Sequence, residues 1–441
     1  MTASLAGCAL LALAAACSGG GGSSPAPGGG APATTAPTAA PTATPVGATP
    51  TPVASGTPYT GPTAPPANAA LTVPSGFTVS QIASVPEVRE LVVLPNGDLI
   101  AGSQGTTVWI VPDADGPGAA GTPAHFVDVP DTPVAGVAFG DGYVFAGAQH
   151  GVYRMPYTTG AQTGVAQQIA SIRQGSPPPG SDGDVHVTTS VTVSGTTLYV
   201  SVGSSCNACT EIDPTRATVQ KMGLDGSGMT TQATQIRNAI AITTDPSTGN
   251  VWAGGAGQDD LPEYHPYEYM DPVSTHAAPA NYGWPACEED HVAYTSGANC
   301  ANEVVPALEF PAYSTLIGAA FYPASQSGPY AFPSPWNGGL FVSAHGSWHA
   351  DSNNVPIDPP HVAFVPFTGA LPTTAVNWND PTVQWHDFFT GFQNAGGARV
   401  GRTAGVAVGP NGSLFVADDQ DGVVYRIRPV GTGTQAKRRI R

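Results

Sequence analysis

The stretch that decides the fold reads VHVTTSVTVSGTTLYVSVGSSCNAC, from Val185 to Cys209. Its β-branched and aromatic residues favour two strands, and Ser194-Gly195 supplies a tight turn between them. A loop of small residues follows the second strand and ends in a Cys-x-x-Cys motif. His186 therefore lies near the start of a strand, beside a loop that can approach a ligand. In β-rich proteins such strand ends and loops usually carry the chemistry.

The turn and second strand of this stretch recur along the chain. Each copy has a turn that ends in Gly and an apolar strand, and the six copies occupy 96–101, 141–146, 194–200, 248–253, 337–342 and 411–416. Such a repeat is typical of a β-propeller blade of four strands in about 45 residues. The sequence therefore predicts an all-β, six-bladed β-propeller, with insertions near 263–303 and 351–397. A pair of β-sandwiches would leave this internal repeat unexplained.

Composition narrows the classes of function. The 441 residues include 55 Gly and 45 Pro, which favours short strands and turns over helices. The formal net charge is −17, and all acidic residues lie between Glu87 and Asp421. Such a surface repels nucleic acids and anionic membranes, so we expect no nucleic-acid partner.

The N-terminal segment indicates export. Residues 1–17 form an apolar run that ends in LAAAC and resembles a lipoprotein signal peptide with Cys17 as the lipidation site, although no Lys or Arg precedes Arg89. A secretory signal or a buried helix is the alternative. Residues 18–70 are rich in Gly, Ser, Pro, Ala and Thr and contain no charge, as expected of a disordered tether. We expect the propeller over 71–430, a basic tail over 431–441, and membrane contact only through the lipid anchor, at the periplasm or cell surface.

Four cysteines fall within the predicted propeller. In an exported protein disulfides are the default, which favours the pairs Cys206–Cys209 and Cys287–Cys300. A redox-active Cys-x-x-Cys normally opens a helix in an α/β fold, and a zinc site using both pairs lacks a second Cys-x-x-Cys. Two structural disulfides are therefore the prediction.

Six short motifs occur in an order that resembles the glucose/sorbosone dehydrogenase family, and most closely its sorbosone dehydrogenase-like branch. The motifs are His186 with YVSVGSSCNAC (199–209), RA (216–217), RN (237–238), NYGWP (281–285), AHGSW (344–348) and GR with GVAVGPNGSL (401–414). The resemblance covers about 71–429. It implies a six-bladed propeller that binds pyrroloquinoline quinone (PQQ) and Ca²⁺ and oxidises a sugar, sugar aldehyde or polyol for an external electron acceptor.

The resemblance also implies site residues. His186 is placed as the general base, a role that suits a side chain whose pKa is near neutrality. Arg237 is placed beside the quinone oxygens, and Arg402 at a cofactor carboxylate. Further expected residues are Asn238 and His345 for the cofactor, Gly255 and Ala256 for the catalytic Ca²⁺, and Asp260, Tyr282 and Asp290 for a second Ca²⁺.

Several positions depart from the glucose-oxidising branch. An aspartate of that branch is replaced in the loop Gly203-Ser204-Ser205, its cofactor-binding lysine falls near His345, and a second arginine is replaced by Ala404. Two hypotheses therefore stay open: a quinone-dependent dehydrogenase at the cell envelope, and a non-catalytic propeller that serves as a binding or scaffold module.

Overall fold

The computed structural model describes residues 70–431 except 180, 182 and 263. The described residues are almost entirely β-structure and turns. The strands are β1 (Phe77–Ser84), β2 (Val88–Val93), β3 (Leu99–Ser103), β4 (Thr107–Val111), β5 (Ala124–Asp128), β6 (Gly136–Gly140), β7 (Tyr143–Gly147), β8 (Gly151–Pro156), β9 (Gln167–Ser171), β10 (Thr189–Ser194), β11 (Thr197–Val202), β12 (Thr218–Gly223), β13 (Thr230–Thr234), β14 (Ala241–Thr244), β15 (Val251–Gly255), β16 (Glu268–Asp271), β17 (Ala280–Asn281), β18 (Cys287–Glu288), β19 (Val292–Ala293), β20 (Leu308–Phe310), β21 (Leu316–Tyr322), β22 (Gly339–Ala344), β23 (His361–Thr368), β24 (Leu371–Pro372), β25 (His386–Phe389), β26 (Thr403–Val408), β27 (Leu414–Asp418) and β28 (Val423–Pro429). The helical element in this part of the chain is a 3₁₀ turn at Val273–Thr275.

Six sheets form the blades of a propeller. In chain order of their innermost strands they are β2-β3-β4-β5, β6-β7-β8-β9, β10-β11-β12-β13 with β17, β14-β15-β16-β20, β21-β22-β23 with β24 and β25, and β26-β27-β28-β1. The six innermost strands pack against one another in a closed ring around a central channel. The predicted six-bladed propeller is confirmed, and the pair of sandwiches is excluded.

The ring is closed by the first strand of the propeller. β1 runs antiparallel to β28, with Phe77 opposite Pro429 and Ser84 opposite Val423. The last blade therefore takes its outermost strand from the start of the propeller and its other three strands from the end. Closure of this kind leaves no blade with a missing strand, which protects the sheet edges from pairing with other chains.

The sequence repeat corresponds to one position in every blade. Each of the six copies is the turn into the second strand and that strand itself: β3, β7, β11, β15, β22 and β27. The glycine of every copy has a positive φ, between 57° and 95°, at Gly97, Gly142, Gly195, Gly249, Gly338 and Gly412. A side chain is strained in this backbone region, which explains why the same residue type recurs at the same place.

The two long intervals between repeats are not pure insertions. The first contains β16, which is the third strand of its blade, and the second contains β23. The expectation of insertions over 263–303 and 351–397 is therefore wrong in part. The repeat marks the second strand of each blade, so it does not reveal these third strands, and the segments around them are irregular.

Both predicted disulfides are present. Cys206 is bonded to Cys209, and Cys287 to Cys300 across the small hairpin of β18 and β19. No helix among the described residues is long and apolar enough to span a membrane. The predicted signal peptide with Cys17, the predicted tether up to residue 69 and all but the first residue of the predicted basic tail lie outside the described residues.

Candidate active site

Several of the predicted site residues lie at one end of the channel. In each blade the loop before the innermost strand and the loop after the second strand meet at the same end, because these two strands are antiparallel. His186, Asn238 and Arg402 precede β10, β14 and β26, whereas Ala256 and His345 follow β15 and β22. Four different blades therefore contribute to one mouth of the channel.

His186 is oriented by the loop after β11. Its Nδ1 lies 3.0 Å from the main-chain oxygen of Ser204 and 2.8 Å from the Ser204 hydroxyl. Because that hydroxyl donates to the carbonyl of Cys206, both Ser204 oxygens accept from Nδ1–H. The neutral ring is therefore protonated on Nδ1, and Nε2 carries a lone pair with no partner among the described residues. Burial, and then the charge of Arg237, lowers the pKa of His186 to about 3.

A buried arginine fixes the chain on which His186 lies. Arg173 donates from Nη2 to the carbonyls of His186 (2.9 Å) and Thr188 (3.0 Å) and from Nη1 to the carbonyl of Gln149 (2.7 Å). Burial lowers the pKa of Arg173 to about 10, so it stays protonated at neutral pH. It was not predicted, because nothing in its local sequence indicates this contact.

Ser204 connects Arg237 with His186. Its backbone N–H donates to the Arg237 carbonyl at 2.8 Å, while its oxygens accept from the His186 ring. The guanidinium forms an ion pair with Asp259 (2.7 Å) and donates to the Asn207 carbonyl (3.1 Å) and to Oδ1 of Asn207 (2.9 Å). The second oxygen of Asp259 contacts Nε2 of His349 at 2.9 Å. Asp259 and His349 thus extend the site, although neither was assigned to it.

Asn238 lies in a tightly packed part of the site. Its buried Oδ1 has no hydrogen-bond partner among the described residues. A Cβ added to Gly203 would come within 2.6 Å of this Oδ1 and 2.6 Å of Cβ of His186. Asn238 also borders a small cavity, lined by Ile236, Arg237, Asn238, Gly255, Ala256, Tyr269 and Glu288.

A second group of charges lies beside His345. Nε2 of His345 is 2.9 Å from Asp419, and Arg89 forms an ion pair with the same carboxylate. Burial lowers the pKa of His345 to about 4. Burial alone would raise the pKa of Asp419, but the hydrogen bonds and charges of His345 and Arg89 lower it to about 2. At neutral pH a neutral imidazole therefore donates to a charged carboxylate, and Arg89 supplies the cation.

Arg402 has no carboxylate partner within the described part of the chain. Its Nε donates to the carbonyl of His345 (3.1 Å) and its Nη2 to the carbonyl of Gly346 (2.8 Å). Burial, and then the nearby Arg399, lowers the pKa of Arg402 to about 10. Because its charge is not neutralised by an ion pair, Arg402 can receive an anion from outside the chain.

The residues predicted for calcium fall into two groups. Gly255 and Ala256 border the small cavity, and the Ala256 carbonyl accepts a long hydrogen bond, 3.4 Å, from Arg237. Asp260 and Asp290 are exposed, whereas Tyr282 is buried. No hydrogen bond or ion pair joins these three residues in the described structure.

Arg89 was not assigned to the site, although the sequence contains a signal for it, because Arg89 is the first cation of an acidic chain.

Solved structures share this fold. The PQQ domain of pyranose dehydrogenase from Coprinopsis cinerea, in its holo form, matches with a TM-score of 0.65 and 18% identity over 83% of this chain and 99% of that chain. A family AA12 carbohydrate-active enzyme of Trichoderma reesei, in a calcium structure, matches with a TM-score of 0.66 and 17% identity over 82% and 98%. The PQQ-bound aldose sugar dehydrogenase of Streptomyces coelicolor matches with a TM-score of 0.53 and 16% identity over 83% and 99%. No family model and no curated protein sequence matches the chain.

Proposed function

We propose that the protein is a PQQ-dependent oxidoreductase that oxidises a hydroxyl or aldehyde group of a sugar or polyol. The observation that carries the proposal is the arrangement at Ser204, which holds His186 with Nε2 available and Arg237 beside it. When bound, the calcium-associated quinone would supply the hydride acceptor. The similar structures of sugar dehydrogenases support the substrate class and the cofactor.

His186 is proposed as the general base. The Nδ1 tautomer leaves Nε2 as the acceptor for a substrate hydroxyl proton. Burial and Arg237 lower the pKa of the ring to about 3, below the near-neutral value expected of a general base, so it is the geometry that supports this role. A histidine held by a main-chain carbonyl keeps this tautomer through the reaction. Ser204, which lies in the loop where the glucose-oxidising branch has an aspartate, thus orients the ring.

Cations at the mouth of the channel offer partners to a ligand that carries three carboxylates, as PQQ does. Arg402 offers a cation without an ion pair, and Arg89 offers Nε, which is buried and has no partner among the described residues. Arg89 lies in β2, in a different blade from Arg402, and supplies a positive charge that the neutral His345 does not. We propose that Arg89, Arg402 and Arg237 hold the cofactor, with Asn238 and His345 at its edge.

The oxygen donors that border the small cavity are of the type that calcium binds. Gly255 and Ala256 provide carbonyls, and Glu288 provides a buried carboxyl whose pKa burial raises to about 7, although Gln258 and Arg237 oppose that rise. Bound Ca²⁺ would stabilise the ionised carboxylate there. We propose one calcium ion in this cavity, and we keep the set of Asp260, Tyr282 and Asp290 as a separate, weaker proposal.

The setting is proposed from the rest of the chain. Two disulfides suit an oxidising compartment, so the enzyme would act in the periplasm or at the cell surface, with Cys17 as its lipid anchor. Electrons would leave to an external acceptor. The substrate is a small sugar or polyol.

The test is titration of purified protein with PQQ and excess Ca²⁺, followed by dye reduction with aldoses, ketoses and polyols. His186→Ala is expected to bind the quinone like the wild type and to lose turnover by roughly 10²–10⁴-fold, the usual contribution of a positioned general base. Arg237→Ala is expected to lose both affinity and rate, since a charged hydrogen bond is removed.

Matched controls are His125→Ala and Arg154→Ala, which change the same residue types away from the mouth of the channel. Both controls are expected to behave like the wild type. Wild type that binds no quinone in excess calcium would contradict the proposal and favour a non-catalytic propeller.

A further inference from the structure

The turn closed by the Cys206–Cys209 disulfide presents one residue to Arg237. Within this turn, the Asn207 carbonyl accepts from Nε of Arg237 at 3.1 Å and from the indole N–H of Trp284 at 3.0 Å. Since the disulfide joins residues only three positions apart, the direction of this carbonyl is restricted by the ring. The main chain of Asn207 therefore fixes one edge of the guanidinium.

The side chain of Asn207 fixes the partner of Arg237 as well. Its Oδ1 accepts from Nη2 of Arg237 (2.9 Å) and from the backbone N–H of Asp259 (2.8 Å), while Nδ2 donates to the Asp259 carbonyl (2.9 Å). An amide is the side chain that can accept and donate at the same time in this way. Both members of the Arg237–Asp259 ion pair are thus bound to one residue.

We propose that Asn207 is a positioning residue for Arg237, and that the Cys206–Cys209 disulfide holds Asn207 in place for this purpose. A flexible arginine loses side-chain entropy when a ligand orders it, and this arrangement removes that cost before a ligand arrives. The effect on catalysis rests on the proposed function, whereas the orientation of Arg237 does not.

The first experiment measures the orientation of Arg237 without any cofactor. Phenylglyoxal modifies accessible guanidinium groups, and peptide mass spectrometry gives the rate at Arg237, which is 4% exposed in the folded protein. In Asn207→Ala and in the double variant Cys206→Ala/Cys209→Ala, the rate at Arg237 is expected to rise by about 5-fold, because at least one hydrogen bond of about 1 kcal/mol is lost.

The controls separate positioning from unfolding. The rate at Arg402 is expected to stay unchanged in every variant, and Cys287→Ala/Cys300→Ala removes the other disulfide without touching Asn207. Asn207→Asp retains the oxygen that accepts from Arg237 and is expected to restore most of the protection. An unchanged rate at Arg237 in Asn207→Ala, or an equal rise at Arg402, overturns the proposal.

The second experiment is a double-mutant cycle on the affinity for PQQ with Ca²⁺. Asn207→Ala is expected to weaken binding about 10-fold in the wild type but less than about 2-fold when Arg237 is already Ala, because the two residues act as one unit. Equal losses in both backgrounds overturn the proposal. If wild type binds no PQQ while phenylglyoxal shows the expected rise, the proposed function fails and the positioning role of Asn207 stands.

Discussion

Acidification tests how His186 is held in the folded protein. Because burial and Arg237 lower its pKa to about 3, the folded protein excludes a proton that the unfolded chain binds below about pH 6.5. The unfolded state therefore binds more protons as the pH falls from about 6.5 towards 3. His186 therefore lowers the free energy of unfolding as the pH falls below about 6.5, and it causes no change in that free energy above about pH 6.5.

The magnitude follows from the width of this window. Each pH unit between the two pKa values is worth about 1.4 kcal/mol, so that between about pH 7.5 and pH 4.5 His186 alone lowers the free energy of unfolding by roughly 2–3 kcal/mol. Wild type and His186→Gln are compared by urea unfolding at both pH values. The glutamine amide can still donate to the Ser204 carbonyl but does not titrate.

The difference between the two proteins isolates His186, because every other group titrates in both. Wild type is expected to lose roughly 2–3 kcal/mol more than His186→Gln on acidification, while His125→Gln, at a side chain 57% exposed, behaves like the wild type. The ¹⁵N shifts of the His186 ring should show an unprotonated Nε2 at pH 7. A difference below about 0.5 kcal/mol, or a protonated Nε2, would refute this account of the base.

Two further predictions concern closure of the ring and packing at the site. Phe77→Ala removes a ring whose centroid lies 4.6 Å from that of Phe332, and it is expected to lower the free energy of unfolding by about 3–5 kcal/mol. Urea unfolding measures this loss, and Val165→Ala, at a residue that is 79% exposed, is the control. Equal stabilities of the two variants would argue against closure by β1. Gly203→Ala places a Cβ within 2.6 Å of Asn238 and His186, so we expect the free energy of unfolding to fall by about 1–3 kcal/mol and dye reduction to be lost. Gly118→Ala, whose added Cβ has no atom within 4 Å, is expected to change neither quantity. Normal turnover in Gly203→Ala would show that this packing is not needed for activity.

The fold was predictable because its signal is local and repeated. A glycine with positive φ and the apolar strand after it lie within a few residues of each other, and the pattern occurs once in each blade. Closure by β1 was not predictable in this way. β1 pairs with β28, where the partners Thr78 and Arg428 are separated by 350 positions in the sequence. Neither strand contains a sequence motif that indicates its pairing with the other.

The site was predictable only where a residue belongs to a short motif. His186, Arg237, Asn238 and Arg402 were found through such motifs, and the structure brings them to one mouth of the channel. Ser204 and Asn207 were part of a quoted motif, but their contacts depend on how loops from different blades pack. Arg89 and Arg173 act across long distances in sequence, so that only the folded chain shows their partners.

The distribution of cations favours an anion-binding site over a passive scaffold. Six of the ten cations between Arg89 and Arg428 gather around this mouth, namely Arg89, Arg173, Arg216, Arg237, Arg399 and Arg402, in a chain with a net charge of −17. Arg89, Arg216 and Arg237 each form an ion pair with an aspartate. Arg402 is partly buried, and within the described part of the chain its guanidinium donates to carbonyls and to no carboxylate, although the domain has a large excess of carboxylates. Removing a cation from water without an ion pair costs stability, and hydrogen bonds to carbonyls offset that cost only in part. A bound carboxylate would offset that cost at the mouth of the channel that also contains His186.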